Sequence, residues 1–222
     1  MDEASAALAL ASGHSRGKAK RQRAILDAAR DIMAQAGEAG LTMFAVASRA
    51  GVSPATPYNL FGSKQAILTA VYEEDMIDFH ANYEVRACDD PLGRIFDLAD
   101  LSIEHWKSSP DFYKALLIVL SRNTGSKVDG AWSPRRSYSR QLIQNLAAAG
   151  GLEASAPLEA LSTALVRTLK AVSQEWVDGE LTLDEAGHEI GVAFGVVLTG
   201  FVASETKPAL ARILQRYRAR GE

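Results

Sequence analysis

Apolar side chains recur at intervals of three and four along most of the 222-residue chain. No convincing run shows the alternation expected of a half-buried strand. Ile25, Ala28, Ala29, Ile32 and Ala36 mark one face of a first helix over about 20–35, which Gly37 and Gly40 close. Thr42 is placed to cap a short second helix through Arg49, with Gly51 behind it. Ser53 is placed to cap a third, with Pro54 at its first position, where a missing N–H costs nothing. Gly62 stops that helix after Phe61, and Ser63 caps a long fourth one. The stripe of the fourth helix is Ile67, Leu68, Val71, Tyr72, Met76, Phe79 and Tyr83.

Beyond Asp89-Asp90-Pro91, amphipathic segments cover about 92–107, 111–122, 135–148, 158–178, 183–204 and 208–219. Pro110, Pro134, Pro157, Gly179 and Pro208 punctuate them. The pattern predicts an all-α protein. An N-terminal three-helix unit is followed by a helical bundle, with 1–19 as a flexible arm, 20–72 as the first folded domain and 73–222 as the second.

Charge sharpens that division. The net charge is −3 and the pI about 5.9, which excludes a uniformly basic nucleic-acid-coating protein but not a locally basic surface. Residues 1–72 hold 8 Lys and Arg against 5 Asp and Glu, leaving 16 against 22 in residues 73–222. Arg16, Lys18, Lys20, Arg21 and Arg23 follow one another with no acid between Glu3 and Asp27, as a phosphate-seeking arm would. One cysteine, Cys88, excludes a disulfide framework and a Cys-rich zinc site. The longest uncharged apolar stretch, Ile190 to Ser204, is shorter than the roughly 20 residues a membrane span needs. Acids precede bases at the N-terminus, the reverse of a secretory signal, so a cytoplasmic protein is expected.

The stretch 42–64 carries the chemistry. Two short helices meet at Gly51, with Val46, Ala47, Val52, Leu60 and Phe61 expected to face inward. A tight turn of this kind projects the second helix outward; in a helix-turn-helix that helix enters the DNA major groove while the preceding one crosses the backbone. Small and polar residues (Ser53, Ala55, Thr56, Tyr58, Asn59) suit close approach to phosphates and base edges. The N–H groups at Ser53–Thr56 are expected to add a positive helix terminus. Lys64 is placed for a further phosphate.

From Arg23 to Tyr72 the chain resembles the TetR family of transcriptional regulators. The match runs through Ala50-Gly51-Val52-Ser53, Thr56, Tyr58, Phe61 and Ser63-Lys64, with Thr42 and Val46-Ala47 before them. The resemblance implies phosphate contacts from Thr42, Tyr58 and Lys64 and a recognition helix over 53–59, including Ser53, Pro54, Ala55, Thr56 and Asn59. It also implies a double-stranded DNA operator as partner. The sequence departs from the family in two places. Phe44 and Ala45 occupy positions usually polar or charged, and Pro57 lies inside the recognition helix.

In the C-terminal half, Leu165, Val172 and Trp176 on one predicted helix share a face. Gly187, Gly191 and Gly195 repeat every fourth residue on the next, beside Phe194, Leu198 and Phe201. Small residues at this spacing permit close helix approach, and the family resemblance implies a homodimer interface there. Trp106, Phe112, Tyr113, Leu117, Trp132 and Tyr138 are the candidate lining of an apolar effector pocket, with His105, Tyr113 or Arg140 as polar handles. The segment 121–134 is expected to be a loop at its entrance.

Enzyme patterns were weighed against this reading. Gly13-His14-Ser15-Arg16-Gly17 has the G-x-S-x-G spacing of a hydrolase nucleophile, but without the strand before it that the chemistry requires. Glu185-x-x-His188 is half of a di-iron carboxylate motif with no second copy. No catalytic, metal or cofactor site is expected. The function expected is a ligand-responsive, operator-binding repressor released by a small apolar or aromatic effector. The alternative is a helical ligand-binding or interaction module that has no operator.

Overall fold

In a computed structural model, residues 3–122 and 133–219 are described, with side chains from 16 to 119 and 136 to 219. Ten helices and no named strand occur among the described residues: α1 (Glu3–Gly40), α2 (Met43–Arg49), α3 (Ala55–Phe61), α4 (Lys64–Arg86), α5 (Pro91–Ser108), α6 (Pro110–Arg122), α7 (Ser133–Ala148), α8 (Leu158–Asp178), α9 (Leu183–Thr199) and α10 (Lys207–Arg218). The backbone forms two compact units, 1–75 with 111–116, and 76–110 with 117–222.

Helix α1 starts earlier than the apolar pattern predicts. Its backbone is helical from Glu3, so the segment expected as a flexible arm continues the helix, with a break at Gly37. The reason lies in composition: Ala4, Ala6, Ala7, Ala9 and Ala11 supply the residue of highest helix propensity, and no proline intervenes. In the first unit, Ile25, Ala29 and Met33 of α1, Val46 and Ala47 of α2, and Ile67, Leu68 and Val71 of α4 make a closed apolar core.

The second unit is built on the pairing of α8 with α9 and with α7, and of α9 with α5 and α10. Trp106 of α5 and Trp176 of α8 stack with ring centroids 5.6 Å apart and planes 6° from parallel. Helix α8 ends at Gly179, whose N–H donates to the carbonyl of Trp176. Helix α9 opens with a reciprocal cap. The Glu185 N–H donates to the Thr182 hydroxyl, and the Thr182 N–H and hydroxyl donate to the Glu185 carboxylate. Those bonds hold the Glu185 carboxyl below its ordinary range. They also give the Glu185-x-x-His188 spacing its role, for His188 Nδ1 lies 2.7 Å from the Tyr217 carbonyl oxygen, away from any metal geometry. Among the described residues no helix is long and apolar enough to cross a membrane, and no group of three His, Cys, Asp or Glu is placed to hold a metal.

Candidate nucleic-acid interface

Helix α2 begins as its sequence predicts. Thr42 is extended at the N-cap, and its Oγ1 accepts from the Ala45 N–H at 3.0 Å. Met43, Val46 and Ala47 bury one side of the helix, which leaves Phe44 72% exposed. The chain then reverses at Gly51, where φ is +64°, a conformation that any side chain would strain. The Val52 N–H closes the turn on the Ala47 carbonyl at 3.0 Å.

Helix α3 is seven residues long and differs in detail from its prediction. Pro54, not Ser53, stands at the N-cap, and no side chain caps the helix. The Ser53 hydroxyl instead pairs with that of Thr56 at 2.8 Å, and the Thr56 N–H donates to the Ser53 carbonyl. Proline carries no N–H at 54, so the expected cluster of free amides at Ser53–Thr56 shrinks to two. Pro57 turns out to be the buried residue of α3, while Val52, Leu60 and Phe61 are only half-buried. It sits in the first turn, where its N–H would have no helical partner, so proline costs the helix no hydrogen bond there. The face left outward carries Ala55, Tyr58 and Asn59, with Tyr58 56% exposed.

Ser63 caps α4 as expected, accepting from the Ala66 N–H at 3.1 Å. Lys64 follows it, and its Nζ lies 3.4 Å from Glu38 Oε1. Arg49 is likewise engaged, 3.5 Å from Asp31 and donating to Gln35 at 3.0 Å. On α1, Arg16, Lys18, Lys20 and Arg21 are exposed and, among the described residues, have no acidic partner, whereas Arg23 pairs with Asp27 and Glu74. Positive charge on this unit is therefore available mainly from α1.

The second unit places the expected pocket and interface residues differently from the sequence reading. A nearly closed crevice of about 10 Å³, room for about one water, is lined by Phe79, His80, Leu98, Ser102, Tyr138, Ser139 and Leu169. Of the five expected residues that are described, Tyr138 contributes. Trp106 is spent on its stack with Trp176, and Leu117 is core. Phe112 and Tyr113 fold with the first unit, where the Tyr113 hydroxyl donates to Asp75 at 2.8 Å. Trp132 and most of the expected entrance loop lie outside the described residues. Arg140 pairs with Glu159, and His105 packs its ring 5.1 Å from that of Phe79. The residues missed come from α4, α5, α7 and α8. Their signal was present in part, since Phe79 already stands in the apolar stripe of α4.

His80 stacks on Tyr138 at 4.5 Å, and Tyr83 meets the same ring edge-on at 5.1 Å. The Tyr138 hydroxyl donates to Glu84, which Arg94 also contacts at 2.8 Å. Burial raises the Tyr138 phenol above its ordinary value, with the Glu84 hydrogen bond adding to the shift, so it stays a donor. Beside it, Ser139 is buried and its hydroxyl has no partner.

The glycine ladder of α9, expected at a dimer face, packs closely within the single chain. A Cβ on Gly191 would meet the Tyr217 ring at 2.1 Å, one on Gly195 would meet Leu214 at 2.1 Å, and one on Gly187 would meet Ile103 at 3.2 Å. Leu165, Val172, Trp176, Phe194 and Leu198 are buried within the single chain as well, and Phe201 is half-buried. Core-facing residues are the ones a helical pattern reveals most readily. The outward face of α9 carries Val192, Ala193 and Val197, half-buried, and Val196, 66% exposed.

The model of bacterial regulatory proteins of the tetR family matches residues 25–71. The HTH-type transcriptional regulator BetI of Rhizobium meliloti (strain 1021) is 30% identical over 144 residues, 63% of this chain and 68% of that protein. Among solved structures, a TetR transcriptional regulator from Rhodococcus sp. RHA1 superposes with a TM-score of 0.67 at 23% identity, covering 82% of this chain and 97% of that one. SmeT, the repressor of the Stenotrophomonas maltophilia multidrug efflux pump SmeDEF, gives a TM-score of 0.63 at 20% identity, covering 83% and 92%. At those identities the two structures share the fold.

Proposed function

Because this chain belongs to the TetR family of transcriptional regulators, we propose that it is a repressor that binds a palindromic operator as a homodimer. A small apolar or aromatic molecule in the C-terminal unit would release it. The family's members are regulators with a helix-turn-helix DNA-binding domain and not enzymes. The observation that carries the finer reading is the exposed edge of α3. Ala55, Tyr58 and Asn59 stand on a short helix fixed by the buried Pro57 and by the Gly51 turn, as a major-groove probe requires.

In this reading Ala55, Thr56 and Asn59 face base edges, while Thr42, Ser53, Pro54, Tyr58 and Lys64 approach phosphates. Arg16, Lys18, Lys20 and Arg21 of α1 add charge. Residues 20–72 act as the DNA-binding domain and 73–222 as the effector and dimerisation domain. The outward face of α9 around Val196 pairs with its symmetry mate, setting half-site centres about 34–36 Å apart or a multiple of that. The crevice bounded by His80, Tyr138 and Ser139 opens to admit the effector. The effector then acts through its higher affinity for a dimer whose probes miss the half-sites, a coupling of about 1–3 kcal/mol.

Footprinting on the DNA that flanks the protein's own gene tests the proposal. A protected palindrome with the wild type, weakened broadly by Tyr58→Ala, is the expected result. Absence of any protected segment would overturn it.

A further inference from the structure

From the composition of the helix-turn-helix surface we infer that Phe44 contacts the 5-methyl group of a thymine, and that operators of this chain depend on that methyl. The inference rests on the operator reading above and deepens it. Two observations lead to it. The first is charge. Residues 41–72 contain two cations, Arg49 and Lys64, and both are held by acids of α1, Asp31 and Glu38. The cations near α2 and α3 are thus each shared with an acid of α1.

The second observation is the phenyl ring. Among the described residues of the first unit, Phe44 and Tyr58 are the exposed large hydrophobic ones, and both stand on the helix-turn-helix. Tyr58 has a hydroxyl to offer a phosphate; Phe44 has nothing polar. It occupies the first turn of α2 between Thr42 and the half-buried Ala45, and it is 72% exposed. Such a ring gains nothing from phosphate oxygens. In the major groove the thymine 5-methyl is the apolar feature of the base edges, and phenylalanine is among the side chains that meet it. Phe44 stands on α2, which the Gly51 turn joins to the helix proposed to enter that groove.

The test begins with operators enriched from random duplexes by the full-length protein. Each thymine is then replaced in turn by deoxyuridine, which removes only the methyl. Affinities are measured for the wild type, Phe44→Ala and Phe44→Leu. We expect one thymine per half-site at which the wild type loses about fourfold on replacement, the factor for burying one methyl group. Phe44→Ala loses a similar factor on the natural operator and is then indifferent to deoxyuridine there, while Phe44→Leu keeps part of the effect. Equal responses of wild type and Phe44→Ala at every thymine would overturn the inference and leave the operator reading intact. A uniform loss with Phe44→Ala on all sequences would do the same, assigning the ring to the sugar backbone. If no sequence is enriched, the operator reading falls and the inference with it.

Discussion

Tyr217 lies flat against Gly191, so close that a Cβ on the glycine would come within 2.1 Å of the ring. The tyrosine cannot swing away freely. It is fully buried, its hydroxyl donates to Asp100 at 2.8 Å, and its carbonyl accepts from or lies against His188 Nδ1. Gly191→Ala is therefore expected to lower the unfolding free energy by about 1–3 kcal/mol through overpacking. Denaturant melts check this. An unchanged midpoint accompanied by altered self-association would return the glycine ladder to an interface.

Lys64 lies against Glu38, so a phosphate would have to compete with that carboxylate for its charge. A partly exposed pair of this kind contributes about 0–1 kcal/mol to stability, so breaking it frees the ammonium without unfolding the domain. Glu38→Gln should steepen the salt dependence of DNA affinity by about 0.9 in the slope of log K against log salt, and Lys64→Ala should flatten it. Identical slopes for the three proteins would remove Lys64 from the interface.

Dimerisation is expected to depend on the outward side of α9. Val196→Glu places a charge where the proposed symmetry mate packs, and should weaken association at least tenfold, about 1.4 kcal/mol. Sedimentation at graded concentrations measures it. A persistent dimer with native helicity would move the interface elsewhere.

The Tyr138–Glu84 contact predicts a pH dependence. The tyrosine hydroxyl, assisted by Arg94, keeps the Glu84 carboxyl below its ordinary 4.5. A carboxyl lowered by folding stabilises above its ordinary value and loses that contribution as pH falls through its folded value. Glu84→Gln should therefore lower Tm near neutrality, with the gap to wild type closing as pH drops below about 4.5. A gap that is constant between pH 7 and 3.5 would show the charge to be irrelevant. The effect is expected to be small because the carboxylate is largely solvent-exposed.

Most of the first unit was legible in order. Glycines at 51 and 62, the Thr42 and Ser63 caps and the apolar stripes each act within a few residues, so local sequence carries them. Ser53 misled because its hydroxyl had two local partners, and it took the Thr56 hydroxyl in place of a helix amide. The pocket misled for a different reason. Aromatic residues mark hydrophobic clusters without saying which cluster: Phe112 and Tyr113 meet each other in the first unit, while Trp106 stacks on Trp176 in the second.

What the sequence determined unaided is what short range decides: ten helices, the Gly51 reversal and a short outward helix carrying Tyr58 and Asn59. Tertiary structure alone decided which faces were spent. It turned the Gly187–Gly195 ladder toward α5 and α10, tied Lys64 to Glu38, and set His80 against Tyr138 beside the unpartnered Ser139 hydroxyl. The physical reason is that helical periodicity records how much of a helix must be hidden, whereas the partner that hides it lies far away along the chain.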